Sequence, residues 1–256
     1  EKPLIAIPVA AHTLQELKEK TAAIRSLPFD VLEWRMDGLD ALSPELATQG
    51  LSLVKSEIST PIIATIRTSK EGGSFPYEDA LYESCVTAVM AGLRPGTDAI
   101  DVEMERAPAP RLIEKARALG LSVIVSFHDF SRTPKKEDIV SRFLTMKARH
   151  ASIGKIAVMA HSREDACTMM DAMAQVHKTA PDFPFIGISM GPCGQVTRTE
   201  GGKAGSILTF ASAGEQLEDL AISKEDLRGY ILSAYAQALP PSGMLNGRMR
   251  FLRRRL

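Results

Sequence analysis

Short β-branched apolar runs alternate with amphipathic stretches along this 256-residue chain, and the alternation predicts a single-domain α/β protein, a (β/α)8 TIM barrel. Two further observations favour closure. There are eight such runs, most followed by a helical pattern, and a chain of about 250 residues is the usual size of such a barrel. The competing fold, a doubly wound open sheet, requires a glycine-rich nucleotide loop after an early strand, and the sequence has none.

The elements follow in order. Residues 4–9 form the first apolar run, and residues 13–27 carry Leu14, Leu17, Ile24 and Leu27 near helical spacing. Val31–Arg35 is the second run, after which Ser43 and Pro44 supply a cap and a first-turn proline. Residues 61–67 are the third; beyond Gly72 and Gly73, a helix is marked by Leu81, Cys85, Val89 and Leu93. The fourth run, 98–103, precedes a helix over 111–119 closed by Gly120. The fifth, 122–128, leads to a helix that starts at Thr133 and Pro134 and turns Ile139, Phe143 and Met146 inward. The sixth spans 152–159; Ser162 and Asp165 then resemble a capping box for a helix through His177. The seventh is 185–189 and a weak eighth is 206–209, with Ser223 capping a last helix through Leu227, Tyr230, Ile231 and Ala234.

Composition narrows the partners. Lys plus Arg and Asp plus Glu both number 31, so net charge gives no reason to expect nucleic acid or an acidic membrane surface. The sequence shows no long uncharged apolar run and no basic-then-apolar leader, which reads as cytoplasmic. Cys85, Cys167 and Cys193 are odd in number and lack metal-ligand spacing, so neither a disulfide framework nor a metal site is expected. The barrel is expected over residues 1–239. Residues 240–256 form a basic extension with five arginines and no acids.

Chemistry in a parallel barrel collects at the C-terminal ends of the strands. Glu33 and Arg35 fall there on the second run, Arg67 ends the third, Glu103 the fourth and His128 the fifth, while Met190 and Arg198 follow the seventh. The central residue is Lys155, inside the sixth run. A lysine buried there must be paired or give up its proton, and desolvation or a neighbouring cation prepares an amine to form a Schiff base with a carbonyl compound. The alternatives are a lysine that snorkels to solvent, and structural ion pairs joining Glu33 to Arg35 or Glu103 to an arginine. Taken together, the residues suit imine formation on Lys155, proton transfer by His128, and carboxylate binding by the planar fork of Arg198. Glu71, in a glycine-flanked loop, is placed to orient the histidine.

These residues resemble the type I 3-dehydroquinate dehydratases. The shared motifs are Glu33-Trp34-Arg35, Thr65-Ile66-Arg67 with Glu71-Gly72-Gly73, Asp101-Val102-Glu103, Ser126 to Phe130 with Thr133-Pro134, Lys155-Ile156-Ala157, and Ser189-Met190-Gly191 with Thr197-Arg198. They run in order over residues 4–235. The resemblance implies a homodimeric barrel enzyme of the shikimate pathway to chorismate and the aromatic amino acids, without metal or organic cofactor. It implies that Lys155 forms the Schiff base with 3-dehydroquinate, that His128 moves the C2 proton and assists loss of the C1 hydroxyl by syn elimination, and that Glu71 orients it. Glu33, Arg35, Arg67, Met190 and Phe210 would hold ring hydroxyls or shape the pocket, and Arg198 would hold the carboxylate. The ligand is then a small cyclic hydroxy acid.

One segment departs from the pattern. The family lid carries a serine and a glutamine between the eighth strand and the last helix, whereas residues 217–221 here have neither and bring Glu218 and Asp219 instead. Three alternatives therefore stand beside the plain dehydratase: a paralogue running imine chemistry on a modified substrate, a Schiff-base aldolase, and a non-catalytic cyclitol-acid binding protein.

Overall fold

The computed structural model describes residues 3–27, 29–76 and 78–211. Eight parallel strands form the predicted barrel: β1 (Leu4–Ala10), β2 (Val31–Arg35), β3 (Ile62–Thr65), β4 (Ala99–Glu103), β5 (Ser122–Asp129), β6 (Ile153–Met159), β7 (Phe185–Met190) and β8 (Leu208–Phe210). Their order is β7-β6-β5-β4-β3-β2-β1-β8. The ring closes between its two ends, where Ser206 bridges Phe185 in parallel and the Ile207 N–H donates to the Phe185 carbonyl at 2.9 Å.

Helices α1 (Leu14–Ile24), α2 (Pro44–Glu57), α3 (Asp79–Met90), α4 (Ala109–Ala118), α5 (Lys136–Ala148) and α6 (Arg163–Thr179) surround it. Three of the starts, those of α1, α2 and α6, carry side-chain caps. The Thr13 hydroxyl accepts from the Glu16 N–H, Ser43 caps α2 with Pro44 in the first turn, and Ser162 and Asp165 complete a reciprocal capping box. An N-cap of this kind contributes about 1 kcal/mol.

Strand alternation divides the core in two. Outward residues such as Ile7, Trp34, Ile66, Val102, Val125 and Phe185 pack against the helices. Inward residues Ala6, Val31, Ile63, Ala99, Ile124, Ile153, Ile186 and Leu208 plug the barrel interior. Close helix-to-strand approach requires small residues at chosen points: a Cβ on Gly50 of α2 would sit 2.4 Å from the fully buried Trp34 ring.

Several boundaries differ from the sequence expectation. The β7 ladder pairs Met190 with Met159, so Met190 ends the strand instead of following it. Arg198 lies not in a loop but on a short helix, α7 (Gln195–Glu200), which lacks the length to give a periodic signal. The helix after β5 begins at Lys136, because Thr133 is held outside it by a 2.7 Å bond from its hydroxyl to the Met159 carbonyl. The last helix from Ser223, the altered lid at 217–221 and the extension 240–256 lie outside the described residues.

Candidate functional site

Above the apolar plug, the inward positions turn polar. Alternate strands β2, β4, β6 and β8 contribute Glu33, Asp101, Lys155 and Phe210, as layered barrel interiors do. Lys155 is 4% exposed, so it does not snorkel. Its Nζ donates to Glu33 Oε1 at 2.8 Å and to Asp101 Oδ2 at 3.3 Å, and lies 4.7 Å from the centre of the Phe210 ring. The ammonium is therefore paired in place and faces an aromatic surface.

Arg67 binds the remaining acids into one network. Its Nη1 donates to Ser126 Oγ at 2.9 Å and reaches Glu103 at 3.2 Å and Glu71 at 3.4 Å, while Nη2 lies 2.9 Å from Asp101. The guanidinium is buried, and these carboxylates hold its pKa above the ordinary arginine value against the opposing effect of burial. Glu103 is fixed further by the Thr68 N–H at 2.8 Å and the Thr68 hydroxyl at 2.7 Å. The predicted ion pair between Glu103 and an arginine is thus present. Arg35 does not form the alternative ion pair with Glu33: its fork donates to both oxygens of Asp37, at 2.8 and 2.7 Å. Asp37 also accepts from the backbone N–H groups of Arg67 and Ser74, which ties β2 to both ends of the loop that carries Glu71.

That loop folds as a 3-10 turn over Ser69–Glu71 and leaves through Gly72 at φ +80°. A Cβ on Gly72 would meet the Phe130 ring at 2.2 Å, so glycine is needed for both reasons. The turn aims Glu71 Oε2 at His128 Nδ1, 2.9 Å away. Phe130 stacks beside the imidazole at 6.4 Å between ring centres. Burial first, then the charges of Arg67, Lys155 and Arg35, hold the His128 pKa well below its ordinary value. Burial also pushes the Glu71 carboxyl up to about 8; Glu103, Asp101 and Glu105 act in the same direction and Arg67 opposes them. A cavity of about 330 Å³ borders the pair, with Glu103, Phe127 and Phe130 in its walls. Lys155, Glu33, Arg198 and Phe210 are not in its walls, so it borders the histidine side of the site only.

Of the residues expected from sequence, Lys155, Glu33 and Phe210 meet in one cluster and Glu71, His128 and Arg67 in another. The two are joined through Asp101, Ser126 and Arg67. Met190 packs at the edge of the interior plug. Arg198 is half-buried and donates from Nη1 to the Phe210 carbonyl at 3.1 Å, which brings it beside the aromatic wall over Lys155. Asp101, Ser126 and Asp37 were not among the expected site residues. The first two share the inward register of Glu103 and His128 and were legible from strand alternation; Asp37 lies beyond β2 and carries no such signal. Among the described residues no group of three or more His, Cys, Asp or Glu is placed to hold a metal ion, and no helix is long and apolar enough to cross a membrane.

A parallel barrel with a buried, ion-paired lysine and a histidine–carboxylate pair at the C-terminal ends of its strands defines a (β/α)8 barrel whose mouth is equipped for amine and proton-transfer chemistry. The chain belongs to the type I 3-dehydroquinase family, whose model matches residues 5–233. It is 37% identical over 233 residues to a 3-dehydroquinate dehydratase of Listeria welshimeri, covering 88% of this chain and 90% of that protein. The 3-dehydroquinate dehydratase structure from Enterococcus faecalis superposes with a TM-score of 0.78 at 29% identity, covering 91% of this chain and 94% of that one. A type I enzyme from Clostridium difficile, solved with covalently modified comenic acid, gives a TM-score of 0.80 at 28% identity, with coverage of 91% and 93%.

Proposed function

We propose that this chain carries out its family's reaction, the dehydration of 3-dehydroquinate to 3-dehydroshikimate in the shikimate pathway, through an imine on Lys155. The observation that carries this is the placement of Lys155 and His128 on adjacent strands. Lys155 pairs in register with Ser126, and His128 lies two residues further toward the barrel mouth. A ketone joined to Nζ would therefore present its neighbouring C–H group toward the imidazole.

The roles follow from the surroundings. The iminium acts as an electron sink for the C2–H bond. His128, held neutral by burial and nearby cations, takes that proton and returns it to the departing C1 hydroxyl as water. Glu71 fixes the imidazole through Nδ1, leaving Nε2 to face the substrate. Glu33 and Arg35 at the end of β2 and Met190 at the end of β7 bound the ring, Arg67 holds the acids in place, and Arg198 binds the substrate carboxylate alongside Phe210. No cofactor is required for these steps. Kinship to the family also supports a cytoplasmic homodimer acting on a small cyclic hydroxy acid, with neither nucleic acid nor membrane as partner; residues 1–239 would be its catalytic barrel and 240–256 an appended basic segment.

Enone absorbance on mixing with 3-dehydroquinate tests the reaction. The wild-type protein should generate it, and His128→Ala should lose on the order of 100- to 10,000-fold in rate. An unchanged rate in His128→Ala would remove the histidine from the mechanism.

A further inference from the structure

Imine formation conserves charge at the lysine nitrogen. An ammonium and a ketone give an iminium and water; two of the three nitrogen protons leave with the carbonyl oxygen and one stays. A site for this chemistry therefore needs an anion fixed beside the nitrogen that neither moves away nor takes up the proton.

Two carboxylates touch Lys155 Nζ, and they are held differently. Glu33 Oε1, at 2.8 Å, is shared with the Thr65 hydroxyl at 3.1 Å. Asp101 Oδ2, at 3.3 Å, belongs to a residue with no exposed surface, whose Oδ1 accepts from Ser126 Oγ at 2.6 Å and lies 2.9 Å from Arg67 Nη2. Ser126 is in turn the donor target of Arg67 Nη1 at 2.9 Å and the register neighbour of Lys155. Asp101 is thus locked on its far oxygen by a hydroxyl and a guanidinium and offers its near oxygen to the amine.

We propose that Asp101 is a further catalytic residue, the permanent counter-ion of the Lys155 nitrogen, first in the resting ammonium, which lends a proton to a neighbouring base only while the free amine attacks the ketone, and then in the iminium. This rests on the imine at Lys155. A neutral imine accepts electrons far less readily than an iminium, so holding the nitrogen charged is what makes the adjacent C–H bond labile. The other groups around the nitrogen are Glu33 from β2, His128 from β5 and the Phe210 ring from β8, with Arg67, just beyond β3, on the far oxygen of Asp101 and Glu103 of β4 behind it on Arg67; β7 presents Ile186 as its register neighbour. Removing Asp101 leaves Glu33 as the one carboxylate in contact with Nζ among the described residues and leaves Arg67 with one anion fewer. The balance then turns against a charged nitrogen.

The test follows adduct formation with 3-dehydroquinate and borohydride, by intact mass, as a function of pH in wild-type and Asp101→Asn protein. The lysine reactivity midpoint should fall by about one to three units in Asp101→Asn. Enone formation should fall at least about 100-fold while the adduct still traps. A folded Asp101→Asn protein with an unmoved midpoint would overturn the proposal, because a purely structural role predicts lost activity without a shifted titration. Should that variant fail to fold, the wild-type adduct with ¹⁵N-labelled lysine decides: a nitrogen that stays protonated from neutral to mildly alkaline pH supports the counter-ion, and one that deprotonates near neutrality refutes it. Absence of any wild-type adduct would instead refute the imine itself, separating the two failures.

Discussion

His128 Nδ1 and Glu71 Oε2 stand 2.9 Å apart where Glu71 is buried, little of the imidazole is exposed, and the charges of Arg67, Lys155 and Arg35 act on the histidine. Burial resists charge on either partner, so the two titrate as a unit. The form competent to remove a proton is the one in which Nδ1–H donates to the carboxylate and Nε2 is bare. With the Glu71 carboxyl pushed up to about 8, the pair keeps a second proton until mildly alkaline pH.

Glu71→Gln removes that second site. Only His128 then titrates, with its pKa depressed by burial, Arg67, Lys155 and Arg35, so the acid limb of the kcat/KM profile should move to lower pH while kcat falls. The carboxyl's raised pKa also withdraws stability as pH climbs from the ordinary carboxylate range toward 8, because the unfolded chain ionises there and the folded one does not. Glu71→Gln should therefore gain Tm relative to wild type across that window. A fixed acid limb and a pH-independent Tm difference would contradict the coupling.

Arg198→Ala is expected to raise KM on the order of 100-fold with a smaller change in kcat, since it removes a carboxylate partner and leaves Lys155 and His128 in place. Steady-state kinetics with 3-dehydroquinate separate the two parameters. An unaltered KM would deny Arg198 the carboxylate.

Arg67→Met should damage the fold more than the pocket. Asp101, Glu103 and Glu71 would remain buried without their shared cation, and breaking a buried pair in this way costs about 3–5 kcal/mol. For a domain of this size the Tm should drop by about 10 °C. A wild-type melting curve would show that the three acids are neutralised by other means.

The barrel was legible because its signal is repeated. Each inward strand position alternates with an outward one, so eight weak runs reinforce a single fold, and Lys155, His128 and Arg67 stood out as ionisable groups in apolar segments. Asp101 was passed over as a site residue, since a carboxylate on a strand reads equally as a structural acid until Lys155 and Arg67 are found on either side of it. The alternative pairing of Arg35 with Glu33 was suggested by two residues facing the barrel mouth two positions apart, whereas Asp37, two residues beyond, offers both oxygens to the fork. Arg198 was placed in a loop because α7 has only six residues, too few to show helical periodicity.

The central claim is that Lys155 is the covalent partner of the substrate, and the most direct measurement is peptide mass mapping after borohydride reduction in the presence of 3-dehydroquinate, with enone absorbance followed in parallel. A single adduct on the peptide containing Lys155, with adduct and enone both lost in Lys155→Ala, is the predicted result. Enone formation at the wild-type rate by Lys155→Ala, or an adduct confined to another lysine, would contradict it.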